Sequence, residues 1–183
     1  GVREAATRNM SLWDSINGDY LRSLQAVSIY RKVLNVAPLR KIKKPHLTIC
    51  MGPSGSGKTT WAQRELESHA RDAGCDTTEF TGYVEPGQPP KWWDGYDGDR
   101  LVLLDDLRIS DRAEFALLLR CFNDGSAMRV PIKGGFVPWR AERAVITCID
   151  ISNLVPEHED EYQIKRRAEK ILYFNDDHSY IEQ

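Results

Sequence analysis

At 183 residues the chain suits one domain with a small appendage, and a 41% share of hydrophobic residues is enough for a real core. A formal net charge of −2 excludes attraction to polyanions through overall charge, so any nucleic-acid contact needs a local basic patch. No apolar run approaches the ~20 residues of a membrane-spanning helix, so no membrane partner is expected. Cys50, Cys75, Cys121 and Cys148 are widely spaced and form no C-x-x-C pair, which points to reduced thiols, an intracellular reducing compartment and no zinc site. Gly1-Val2-Arg3-Glu4 leads into no signal region, and the missing methionine reads as a processed or excised chain that extends further in nature.

Residues 1–44 read as helical, with Tyr20, Leu24, Val27 and Leu34 on one face and Pro38 as the stop. The basic run Leu39-Arg40-Lys41-Ile42-Lys43-Lys44-Pro45 reads as a solvated linker, or alternatively as a surface facing DNA or a neighbouring subunit. His46–Met51 then forms an apolar strand. It is followed by Gly52-Pro53-Ser54-Gly55-Ser56-Gly57-Lys58-Thr59, which fits G-x-x-x-x-G-K-[ST], and by a helix opening at Thr60-Trp61-Ala62. Glycines let backbone N–H groups curl around an anion, and a helix N-terminus adds partial positive charge. The expected triphosphate cradle is Gly52, Pro53, Ser54, Gly55, Ser56, Gly57, Lys58, Thr59 and Thr60. Lys58 would reach the β- and γ-phosphates, and the Thr59 hydroxyl would take one position on Mg²⁺.

Thr77–Phe80 reads as a short strand, and Glu85–Pro90 as a loop before Lys91-Trp92-Trp93-Asp94-Gly95-Tyr96, whose tandem tryptophans read as packing. Leu101–Leu104 is a continuous apolar strand ending in Asp105-Asp106, the form of a central parallel strand whose C-terminal end faces a ligand. Asp105 is assigned to the metal side and Asp106 to the attacking water as base or positioner; helix capping is the bland alternative. Asp111 with Glu114 resembles a capping box, and Phe115, Leu118, Leu119 and Phe122 form a core face. Residues 127–139 read as a hairpin with its tip at Gly134-Gly135 and Lys133 beside it, by itself an ordinary solvated lysine. Ala144–Ile149 and Ile171–Phe174 are further strands, with Tyr162–Ala168 between them. The polar tail, 176–183, reads as frayed. The tally is an α/β chain: a P-loop NTPase three-layer core of about five parallel strands over 45–175, preceded by the helical segment.

On these motifs the chain resembles the helicase domain of the replication initiator (Rep) of small circular single-stranded DNA viruses, the circovirus-like group, which are superfamily-three helicases of the AAA+ class. The resemblance is carried by Gly52–Thr59, Lys91–Tyr96, Asp105-Asp106, Lys133-Gly134-Gly135, Val145–Thr147 and Arg166-Arg167, and it covers roughly 46–174. It implies ATP and Mg²⁺ as cofactors, a homo-oligomeric, hexameric ring, and ATP bound between neighbours. Residues 1–44 become the oligomerisation collar. Lys133 becomes the hairpin lysine that grips single-stranded DNA in the channel. Arg167 best matches the arginine finger that completes a neighbour's site, with Arg166 close behind. The family's sensor asparagine is replaced by Ile149, leaving Thr147, Asp150 or Asn153 as substitutes. No His-hydrophobe-His motif or catalytic tyrosine context appears, so an N-terminal nickase domain is expected in the natural protein but not in this chain. The resemblance also implies work in the host cell nucleus. Two alternatives stand beside this reading: a small P-loop nucleotide kinase, and an ATP-gated DNA-binding or assembly module with little hydrolysis.

Overall fold

The computed structural model describes residues 43–74, 81–84, 92–93, 95–96, 98–123, 128–132 and 135–182, with 81–84 described by their backbone alone. Residues 1–42 of the expected collar (1–44), the strand at 77–80, Lys91 and Lys133 lie outside the described residues.

The described chain is built on one twisted sheet. Strand β1 (His46–Met51) runs parallel to β6 (Arg143–Cys148) on one side and to β7 (Lys170–Phe174) on the other. Beyond β6 lie β3 (Leu101–Leu104) and the edge strand β2 (Thr81–Val84), both parallel. A short strand, β8 (Tyr180–Glu182), closes the other edge antiparallel to β7, giving the order β2-β3-β6-β1-β7-β8. Five strands are thus parallel, as the sequence leads one to expect, and the sixth comes from the tail that reads as frayed. The physical reason is local: Asn175–Ser179 makes a turn closed by the Asn175 N–H on the Ser179 carbonyl (2.8 Å), and Tyr180 then packs on Phe174.

Side chains alternate between two cores, as a period of two requires. On one face Cys50, Leu101, Leu103, Val145 and Leu172 meet Ala62, Leu66 and Ala70, the buried stripe of helix α1 (Lys58–Asp72). On the other face Ile49, Val102, Leu104 and Ile146 meet Phe115 and Leu118 of helix α2 (Arg112–Cys121) and Phe122, which caps its C-terminus. The result is helix, sheet, helix: a three-layer P-loop-type α/β core. Asp111 caps α2 through the N–H groups of Ala113 (2.8 Å) and Glu114 (2.9 Å). The second half of the expected capping box differs, because the Glu114 carboxylate accepts from the N–H and hydroxyl of Ser110 rather than from Asp111.

Strands β4 (Arg129–Ile132) and β5 (Gly135–Pro138) form the expected hairpin. Its register pairs Ile132 with Gly135, so Gly135 belongs to β5 rather than to the tip. The tandem tryptophans divide their roles. Trp93 is fully buried against Trp139, with ring centres 5.2 Å apart, and its backbone N–H donates to the Pro131 carbonyl (2.7 Å), whereas Trp92 is 45% exposed. The Trp-Trp segment and the hairpin, the two most specific motifs in the sequence, are therefore one packing unit.

Candidate nucleotide site

The site is assembled at the C-terminal ends of the parallel strands. β1 is buried and ends at Gly52, where φ is +145° and a Cβ would lie 2.4 Å from the Phe174 carbonyl oxygen. No side chain fits there, and the loop turns tightly away from the sheet. Gly57, with φ +91°, stands at the N-cap of α1 and brings no capping side chain. The first N–H groups of the helix are thus left for an anion, and no acidic residue in the first turn repels one. Lys58 opens the helix. Its buried ammonium donates to the carbonyls of Gly52 (2.8 Å) and Pro53 (2.6 Å) and to the Ser56 hydroxyl (3.4 Å), so the charge lies against the loop that would hold phosphate.

The carboxylates arrive from β3. Thr59 donates its hydroxyl to Asp105 Oδ1 (2.8 Å), joining the start of α1 to the end of β3 across 46 positions of sequence. Thr147, buried on β6, donates to the same oxygen (2.6 Å). In turn Thr147 Oγ1 accepts the Asp106 N–H (2.8 Å). Asp106 holds a left-handed φ of +46°, an unusual conformation for a residue with a side chain. The Thr147 hydroxyl secures its N–H there, and the Leu107 N–H to the Thr147 carbonyl (2.9 Å) holds the next residue. The Asp106 carboxylate is about half exposed and faces Arg108 (3.4 Å).

Of the candidate sensors, Thr147 alone touches the acidic pair. Asp150 instead caps the 3-10 turn Ile151–Leu154: its carboxylate accepts from the Ser152 N–H (2.9 Å), and this hydrogen bond holds its pKa below the usual carboxylate range. The Asn153 side chain is drawn into the same cap by the Asp150 N–H (2.9 Å). Ile149, in the expected asparagine position, is 47% exposed.

The arginine pair follows helix α3 (Glu161–Lys165) and precedes β7. Because Lys170 pairs with Thr48, four residues before Gly52, the pair lies beyond the end of β7 farthest from the phosphate loop, with roughly 13 Å of strand between. Arg167 donates to Asn123 Oδ1 (3.0 Å) and to the Gln163 carbonyl (2.6 Å), and partial burial, reinforced by the neighbouring Arg166, lowers its pKa. Arg166 is exposed and makes no side-chain hydrogen bond or ion pair among the described residues.

The structure adds residues that the sequence reading missed. A Cβ on Gly57 would lie 3.3 Å from His178 Nδ1, so the turn between β7 and β8 stands beside the phosphate loop. Next to it Trp61, Phe174 and Tyr180 form a mutual aromatic cluster, with ring centres 5.2–6.1 Å apart. The Asn-Asp-Asp-His-Ser run before Tyr180-Ile181 is a turn signal that could have exposed this hairpin.

These donors suit Mg²⁺, which takes a few hard oxygens and keeps several waters. Thr59 Oγ1 and Asp105 Oδ1 already sit 2.8 Å apart at the mouth of the phosphate loop. No cluster of three or more His, Cys, Asp or Glu side chains suited to a metal occurs among the described residues. Cys50, Cys121 and Cys148 are buried; burial pushes their thiols up, that of Cys148 to about 12, which keeps them protonated.

Comparison with known proteins agrees with this geometry. The RNA helicase family model matches residues 48–132, from β1 through the phosphate loop and both carboxylates to the first hairpin strand. The replication-associated protein of Porcine circovirus 1 is 33% identical over 142 residues, 75% of this chain and 38% of the relative. That of Beak and feather disease virus is 30% identical over 139 residues, 73% of this chain and 40% of the relative. That of Human associated cyclovirus 1 is 28% identical over 151 residues, 77% of this chain and 46% of the relative. The chain spans less than half the length of these relatives. Motif order, fold and relatives converge: the chain belongs to the circovirus-like replication-associated (Rep) helicase family.

Proposed function

We propose that this domain hydrolyses ATP to move single-stranded DNA during rolling-circle replication of a viral genome in the host nucleus, as a ring whose sites are completed by neighbours. The observation that carries the proposal is the bridge from Thr59 through Asp105 to Thr147 and the Asp106 backbone. It ties the phosphate loop to the acidic strand end and holds the Asp106 backbone there, and on this reading the Asp106 carboxylate would stand beside the γ-phosphate. Lys58 and the open first turn of α1 would bind the triphosphate, and Asp106 would orient and deprotonate the attacking water. Mg²⁺, held by Thr59 and, through water, by Asp105, would neutralise charge developing on the phosphates.

In a ring, Arg166 is the better placed of the two arginines to reach a neighbour's phosphate, since Arg167 is committed to Asn123 and Gln163. Lys133, in the β4–β5 connection, would grip the strand, and the full-length protein would carry its nickase in a separate domain. The replication role named for the relatives favours DNA as the strand, while the family model's name keeps RNA as a comparison arm.

The test is phosphate release from ATP with and without single-stranded DNA or RNA. DNA should stimulate it, and Asp106→Asn should reduce turnover at least ~10²-fold while leaving ATP-analogue binding intact. Transfer of the γ-phosphate to a nucleotide acceptor would instead identify a kinase. Unchanged turnover in Asp106→Asn would identify a binding module.

A further inference from the structure

A second, unrelated concavity opens at the opposite end of the sheet, where β1, β3 and β6 begin. It encloses about 470 Å³, within the ~300–1,000 Å³ usual for ligand sites. Its walls carry Lys43, Lys44, Arg100, Arg140 and Arg143 against a single carboxylate, Glu142. Arg100 holds both oxygens of Glu142 (2.7 Å each), so that carboxylate is already satisfied. At the rim His46 engages Glu169 (2.5 Å), which also feels the charge of Arg143. Lys43, Lys44, Arg140 and Arg143 form no ion pair with a carboxylate among the described residues. The C-terminal end of α1 opposes them with a partial charge of about half a unit, small against four full cations. In a chain of net charge −2, this is a local concentration of positive charge that the nucleotide site does not use.

The chemistry of the walls narrows the ligand. The lining holds no Phe, Tyr or Trp ring to stack a base and no glycine-rich turn to wrap one phosphate; beside the long flexible cations and Glu142 it carries the imidazoles of His46 and His69 and the apolar residues Ala73, Leu101 and Ala141. Such a surface reads charge and not sequence. In the sequence, Lys43 and Lys44 also end the basic run Arg40-Lys41-Ile42-Lys43-Lys44. Several separate cations along one cleft match a polymer of phosphates better than a compact anion.

We propose that this cleft is a second nucleic-acid contact, which holds the backbone of single-stranded DNA at the end of the sheet remote from ATP and separately from Lys133. The choice of DNA rests on the function proposed above; the cleft itself is tested by binding alone.

The full 183-residue chain is titrated against a labelled oligothymidylate by fluorescence anisotropy across a salt series, without nucleotide, beside a variant carrying Lys43→Gln, Lys44→Gln, Arg140→Gln and Arg143→Gln. The variant is expected to bind at least ~10-fold more weakly at low salt. Its slope of log affinity against log salt should fall by about 0.7 for each phosphate that is no longer neutralised. Its thermal midpoint and ATP-analogue binding should match the parent. Unchanged affinity and slope would overturn the proposal, and so would a loss of self-association with DNA binding intact, which would make the cleft a subunit contact. If the variant does not fold, acylation of Lys43 and Lys44 in the unaltered chain gives the answer: DNA should protect both, and equal labelling with and without DNA would overturn the proposal. Should DNA fail to stimulate ATP hydrolysis while protection persists, the motor reading falls and the cleft stands.

Discussion

The two ends of the same parallel strands are built by different means. At the C-terminal end the site is shaped by main chain: glycines at left-handed φ, an uncapped helix start, and hydroxyls that fix one carboxylate and its neighbour's N–H. At the N-terminal end the features are side-chain charges on flexible stems, Lys43, Lys44, Arg140 and Arg143 in the cleft, with Arg166 beyond the start of β7. A parallel sheet makes this division natural, because every strand delivers its end to the same side and the helices that follow put their N-termini there. On the readings proposed above, one end fixes geometry and the other meets something outside the chain.

The comparison is best broken at its most exposed member. Arg166→Ala should reduce the ATPase of the proposed ring by about 10³-fold with an unchanged thermal midpoint, because the side chain makes no hydrogen bond or ion pair among the described residues of its own subunit. Arg167→Ala should instead lower stability by about 1–2 kcal/mol through removal of the Asn123 and Gln163 hydrogen bonds. If chemical denaturation shows the opposite pattern, the two arginines have been assigned the wrong way round.

At the other end, the effect should appear in the fold itself. Gly52→Ala places a methyl group 2.4 Å from the Phe174 carbonyl, so a loss of roughly 3 kcal/mol in urea unfolding is expected even without nucleotide. Thr147→Val removes the donor to Asp105 and the acceptor for the Asp106 N–H. A cost of about 1–3 kcal/mol should accompany slower hydrolysis, and Thr147→Ser should restore both. A fully active valine variant would show that the bridge does not position the carboxylate.

The smallest effect is a titration. Hydrogen bonding to Ser152 keeps the folded Asp150 pKa below the unfolded value of about 3.9, so its contribution is present above that pH and lost as pH falls through the folded pKa. An NMR titration should give a midpoint below about 3.9, and one above it would remove the cap from the account.

Much of the geometric end was legible in advance because its signals are local. The glycine spacing, Lys58, and the apolar strand ending in Asp105-Asp106 each read from a short window. Thr147 stood among several candidates, and only the pairing of β6 with β3 separates it from Asp150 and Asn153, which cap a turn. The difference between Arg166 and Arg167 depends on Asn123, 44 positions from Arg167, and no window could contain it. The C-terminal hairpin hid for another reason: its polar residues are those of a tail, and only Tyr180 resting on Trp61 and Phe174 makes them a strand.

The closeness of Gly52 to Phe174 bears on what counts as a minimal nucleotide-binding unit. The backbone of β7 by itself requires a glycine at the first position of the motif, so the loop takes its shape in part from a strand that arrives 122 residues later. The matched segment, 48–132, holds every letter of the phosphate motif and both carboxylates, yet it ends before β6 and β7. A fragment cut to those limits would keep the signature and lose the wall that moulds it. A piece that keeps the shape of the loop therefore runs at least to Phe174.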